Sequence, residues 1–157
     1  MRYVHTLIAL LCLSPLPALA QAQPPRPVAQ VAMLPVAEQG RDDVVALVKA
    51  HWGPYFQTQH PQGFGREALR VGRFDLDGDG LAELLVLLDK PDWEAEHGFP
   101  LVVAVWTDKG WNAVGWAWGD QDTVFVTDEI RDGWRTIDTG TQFLYWDKGL
   151  YSRVDKN

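Results

Sequence analysis

The residues with the clearest chemical purpose are the acids of Asp75-Leu76-Asp77-Gly78-Asp79-Gly80-Leu81-Ala82-Glu83. A hard cation such as calcium takes about six to eight oxygen ligands, several of them charged. Carboxylates at alternate positions of a curling backbone point to one centre, so Asp75, Asp77 and Asp79 supply three of those ligands. Gly80 permits the sharp turn at the sixth position. The Leu81 carbonyl and the Glu83 carboxylate complete the expected set. The competing reading is a solvated Asp-Gly turn between two strands. Against it, three acids at two-residue spacing repel one another unless something neutralises them. Calcium is the expected ion, because magnesium demands stricter octahedral geometry and keeps several waters.

Other chemistry is harder to assemble. His51, His60 and His97 lack the spacing of a helical zinc pair and read as surface or loop residues. Asp89, Asp92, Glu94 and Glu96 form an acidic run that reads as a solvated loop. Past residue 20 the chain has no cysteine and only Ser152 as a serine, so most nucleophilic enzyme designs lose their starting residue. Six tryptophans (Trp106, Trp111, Trp116, Trp118, Trp134 and Trp146) fall in or beside expected strands. Most belong in a core, although Trp118, Trp146 and Tyr151 are candidate anchors for a partner.

The elements that must position these residues follow from the rest of the chain. Arg2, the apolar run Leu7–Leu13 and Ala18-Leu19-Ala20 read as a signal peptide over residues 1–20, too short to span a bilayer. A periplasmic or secreted location follows, with no membrane insertion after cleavage. Cys12 follows Leu11, which is not the small residue of a lipoprotein signal. Residues 21–40, with Pro24, Pro25, Pro27 and Pro35, read as an extended, poorly ordered leader. Residues 41–157 read as one β-rich domain. It opens with a helix over Arg41–Trp52, closed by Gly53-Pro54. Eight short runs then read as strands: 69–74, 84–88, 101–107, 111–118, 123–127, 134–138, 142–146 and 150–154. Turn residues separate them, as in an antiparallel meander, sandwich or propeller-like arrangement. Trp106–Trp111 and Trp146–Tyr151 echo each other as aromatic, tight turn, aromatic, which two hairpins sharing turn chemistry would explain.

The formal charge is −7, and losing residues 1–20 makes it one unit more negative. That balance argues against nucleic acid and anionic membrane surfaces and suits a cation or a basic protein partner.

The stretch Val71–Val86 resembles the calcium loop of FG-GAP and VCBS repeats, EF-hand-like in its acids but flanked by strands and with Val86 where an EF-hand has Glu. The resemblance implies that Glu83 is a ligand. It covers about 16 residues and occurs once, so it does not build a whole propeller. The wider layout (export signal, acidic loop, and the ending Tyr145–Tyr151) resembles small periplasmic immunity proteins that inhibit peptidoglycan-degrading toxins. That resemblance implies a binding protein without catalysis, a hydrolase as partner, and Tyr151 as the contact with its active site. The alternatives are a carbohydrate-active or cell-wall-modifying enzyme and a calcium-stabilised surface module.

Overall fold

The computed structural model describes residues 23–37, 39–59 and 66–156. The expected export segment at residues 1–20 and His60 lie outside the described residues. Within them the protein is mainly β, with one long helix, and no helix is long and apolar enough to cross a membrane.

One sheet has the order β2 (Leu34–Pro35), β3 (Leu69–Phe74), β4 (Glu83–Leu88), β5 (Phe99–Thr107), β6 (Gly110–Gly119). The other runs β1 (Pro27–Gln30), β7 (Phe125–Arg131), β8 (Trp134–Asp138), β9 (Gln142–Asp147), β10 (Leu150–Asp155). All pairings are antiparallel. Helix α1 (Arg41–Gln59) covers the outer face of the first sheet, giving three layers.

The middle strand β4 shows why the layers stack this way. Alternate side chains of a strand face opposite sides. Leu85 and Leu87 enter the cluster between the sheets, with Leu101, Val103, Ile137 and Leu144. Leu84, Val86 and Leu88 face the helix, against Val44, Leu47, Val48 and Trp52. Those helical positions repeat at one-turn spacing and form a single apolar stripe. A run of six buried residues, unbroken by polar alternation, is what a strand covered on both faces requires. Asp42 and Asp43 sit in the first turn of α1, where the helix dipole favours acids. The helix does not close at Gly53-Pro54: Pro54 lies inside it, and the chain stays helical to Gln59. Proline removes one backbone donor but does not force a stop.

The expected unordered leader does not hold for residues 27–35. Pro27–Gln30 pairs with β7 in the second sheet, and Leu34–Pro35 pairs with β3 in the first. Between these pairings Val31 and Met33 are buried, and Val31 N–H donates to the Val124 carbonyl at 2.9 Å. Prolines are compatible with this because both strands lie at sheet edges, where a missing donor costs least. The segment is a strap joining the two sheets along one side, and it raises the strand number from the expected eight to ten among the described residues.

Two other contacts close the sandwich. Gln142 on β9 reaches across, its Oε1 accepting Trp118 N–H of β6 at 3.0 Å. At one end, Arg135 N–H donates to the Leu76 carbonyl at 2.8 Å. The hairpins β7–β8 and β9–β10 carry positive φ at Asp132-Gly133 and Lys148-Gly149, the conformation of tight two-residue turns. Trp106 faces Trp111 across β5–β6 as Trp146 faces Tyr151 across β9–β10, and both ring pairs are near-perpendicular at 5.1 Å. The echo is two hairpins of like chemistry.

Two glycines mark where the layers approach too closely for a side chain. A Cβ at Gly72 would collide with Val31 Cγ1 and lie 2.7 Å from Met33 Sδ in the strap. One at Gly115 would lie 2.5 Å from Tyr151 Cβ on β10. Gly115→Ala should therefore lower stability by about 1–3 kcal/mol in urea unfolding. Gly72→Ala should cost a similar amount, because the Met33 side chain can turn aside but the buried, β-branched Val31 cannot. Negligible losses would contradict this close packing.

Candidate metal centre

The acidic loop joins β3 to β4, and its position depends on Leu76. That side chain is fully buried in the cluster between the sheets. Its N–H donates to Glu83 Oε2 at 2.7 Å, while its carbonyl accepts from Arg135. The second residue of the loop is thereby fixed to both ends of the loop and to the other sheet.

Around that plug the loop is folded by its own carboxylates. Asp75 Oδ1 accepts Gly78 N–H at 2.7 Å, and Oδ2 accepts Gly80 N–H at 3.1 Å. Asp77 Oδ1 accepts Asp79 N–H at 3.1 Å, and Asp79 Oδ1 accepts Leu81 N–H at 2.7 Å. Gly78 and Gly80 have positive φ, which side-chain-bearing residues avoid.

Of the expected ligands, the fold gathers Asp75, Asp77 and Glu83, each offering one oxygen within 4.8 Å of the others. It is the one such group among the described residues able to hold a metal ion. Asp79 lies outside that group and serves the Leu81 N–H, and the Leu81 side chain is exposed. Neither His51 nor His97 joins the group; His51 packs edge-on to Trp52 at 5.4 Å. The acidic run is also drawn elsewhere: Asp89 pairs with Arg70 and Asp92 with Lys90, each at 3.0 Å. Its centre is not loop-like, because Trp93 is buried in a short 3-10 turn.

Glu83 is 6 % exposed. Burial pushes its carboxyl above the ordinary range, the Leu76 N–H opposes this, and the negative charges of Asp77 and Asp79 push it further up. A cation would reverse that balance, supplying the opposite charge that burial has removed from reach of water.

Beneath the loop lies Tyr151, expected at the sequence level to contact a partner. It is buried, its hydroxyl donates to the Arg135 carbonyl at 2.9 Å, and its ring meets Trp134 and Trp146 edge-on. Burial, then Glu83 and Asp77, raises its hydroxyl pKa, so the phenol stays neutral. Tyr151 is a support under the acids and not an exposed anchor. The other two anchors are half-buried in different layers. Trp146 stacks on Trp134 at 3.9 Å between the sheets, whereas Trp118 packs beside Trp52 and Trp116 on the helix side. They do not form one surface. Arg135, whose backbone ties the loop down, carried no signal in the sequence, since its role rests on a main-chain bond.

Two outcomes follow. Tyr151→Ala should open a cavity under the loop and cost about 3–5 kcal/mol in chemical denaturation, as truncations of buried rings do. The second concerns pH in chelator. A carboxyl raised in the folded state makes folding bind protons, so stability falls as pH climbs from the ordinary carboxylate range through the raised value. Glu83→Gln keeps an acceptor for Leu76 N–H and should flatten that fall, leaving the variant more stable than wild type at neutral pH without metal. A wild-type profile no steeper than the variant's would remove the case for a strained buried acid. Compared with protein-family models, curated proteins and solved structures, the chain matches none.

Proposed function

We propose that the protein is an exported calcium-binding β-sandwich that acts by occupying another protein, and that calcium is its structural ion. The convergence of Asp75, Asp77 and Glu83 on one point carries the reading of the ion. Calcium tolerates irregular oxygen shells, which suits a loop whose carboxylates also cap its own backbone. Asp75, Asp77 and Glu83 would hold it, with Asp79 and the Leu81 carbonyl as the remaining candidates. Its charge would offset the repulsion of the buried Glu83 and stabilise the folded form by mass action.

Support for a protein partner comes from the end of the sandwich that bears the loop. Strand register brings the hairpin turns at Asp108, Asp132 and Asp147 to that same end. Among these acids stand exposed Leu81, Ile130 and Leu150. Acidic groups around a few apolar side chains suit a basic partner, steered by charge and held by apolar burial. A peptidoglycan hydrolase, which works on an anionic wall, has the right charge. These three residues take the place of Tyr151 as the contacts under test.

Calorimetry of the mature protein with calcium, after chelator treatment, should give one ion per chain and a higher melting temperature. Asp77→Ala should erase both responses. Heat-silent titration with no thermal shift would sink the calcium assignment. For the partner, purified protein should slow lysis of cell walls by a basic peptidoglycan hydrolase, less so at high salt. Leu150→Ala should weaken that inhibition severalfold while the calcium response persists. Turnover of the wall by this protein alone would make it an enzyme instead.

A further inference from the structure

Away from the acidic loop, a groove of about 540 Å³ runs between the strap, the start of α1 and the β5–β6 hairpin. That is the size of small-molecule sites, which combine apolar walls with a few converging polar groups. The walls here are Leu34, Pro35 and Val36 on one side and Trp106 and Trp111 on the other.

Three features define what would fit. The first is Arg73, whose guanidinium lies 5.3 Å from the centre of the Trp111 ring. Among the described residues no carboxylate stands within ion-pair distance of it. An exposed arginine laid against an indole, with no ion-pair partner among the described residues, leaves its guanidinium fork able to take a carboxylate from a ligand. Next comes Trp106, which is 58 % exposed and set edge-on to Trp111. An exposed indole offers its electron-rich π surface to the C–H groups on one face of a puckered sugar ring. Asp43, exposed on the first turn of α1, also lines the groove and repels a simple anion. It calls for O–H or N–H donors on the ligand.

We propose that this groove binds a short acidic saccharide, a pyranose chain bearing carboxylates. One carboxylate meets Arg73, ring hydroxyls donate to Asp43, and a sugar face packs on Trp106. A free amino acid also carries an acid and a donor, but both sit on one carbon and the molecule leaves most of the groove empty. The site is separate from the metal loop and does not rest on the inhibitor reading.

Isothermal titration with digalacturonate and trigalacturonate tests it, with neutral galactose oligomers and phenylalanine as comparison probes. Wild type should bind the uronates in preference to both. Arg73→Gln should weaken binding roughly tenfold or more, the loss expected of a charged hydrogen bond. Trp106→Ala should abolish the accompanying change in tryptophan fluorescence. Both side chains are exposed and each gives up one contact with Trp111, so melting temperatures should fall only slightly. No uronate binding, equal binding by Arg73→Gln and Trp106→Ala, or preference for the neutral sugar or phenylalanine would each overturn it.

Discussion

Three carboxylates held within 4.8 Å of one another repel, and the fold keeps them there through a single buried leucine. Leu76 is surrounded by acids in sequence, yet its side chain is withdrawn fully into the space between the sheets. Its main chain is bonded to Glu83 on one side and Arg135 on the other. Apolar burial of a side chain this size is worth about 1.5–3 kcal/mol, enough to offset like-charge contacts near the surface. The loop is thus an integral corner of the sandwich, not an appendage to it. What happens to its charge is felt by both sheets.

That corner explains why the aromatic residues of the second sheet are where they are. Tyr151 stands under the acids, Trp146 and Trp134 stack beside it, and Gly115 clears room for the tyrosine Cβ. Large rings fill the space between the sheets here, and the phenol donates to the Arg135 carbonyl, so its own hydroxyl is not left without a partner. The helix layer is independent of this: Trp52, Trp116 and Trp118 make their own cluster on the far face.

Much of the architecture was legible because it is local. Turn residues and alternating runs place β3 to β10 within a few residues of their expected bounds, with β7 the most displaced. The acid spacing likewise singles out the loop. What was illegible depends on distant partners. Pro27–Pro35 looks like leader by composition, and only the edges of β7 and β3 give its backbone somewhere to bond. Tyr151 looked available because strand alternation does not say which face is covered. Pro54 read as a stop because propensity ignores packing, yet the helix continues through it. The groove at Arg73 and Trp106 combines residues from four separate segments, and no spacing rule collects them.

The strap sets the order in which the molecule can be completed. Pro27 pairs with Thr127, and Val31 N–H reaches Val124, so the first of the described strands has no partner until β7 exists. Closing a loop of that span costs entropy before any contact rewards it, which slows folding relative to hairpin-only topologies. Strands β3 to β6 can pair as successive hairpins and take Leu34–Pro35 along one edge, while Pro27–Gln30 waits for β7. Val31 lies over Gly72 of one sheet and bonds Val124 beside the other, so its place is complete only when both sheets are present. Pro27–Gln30 is therefore a late latch, and the sandwich stays open along that side until β7 is in place.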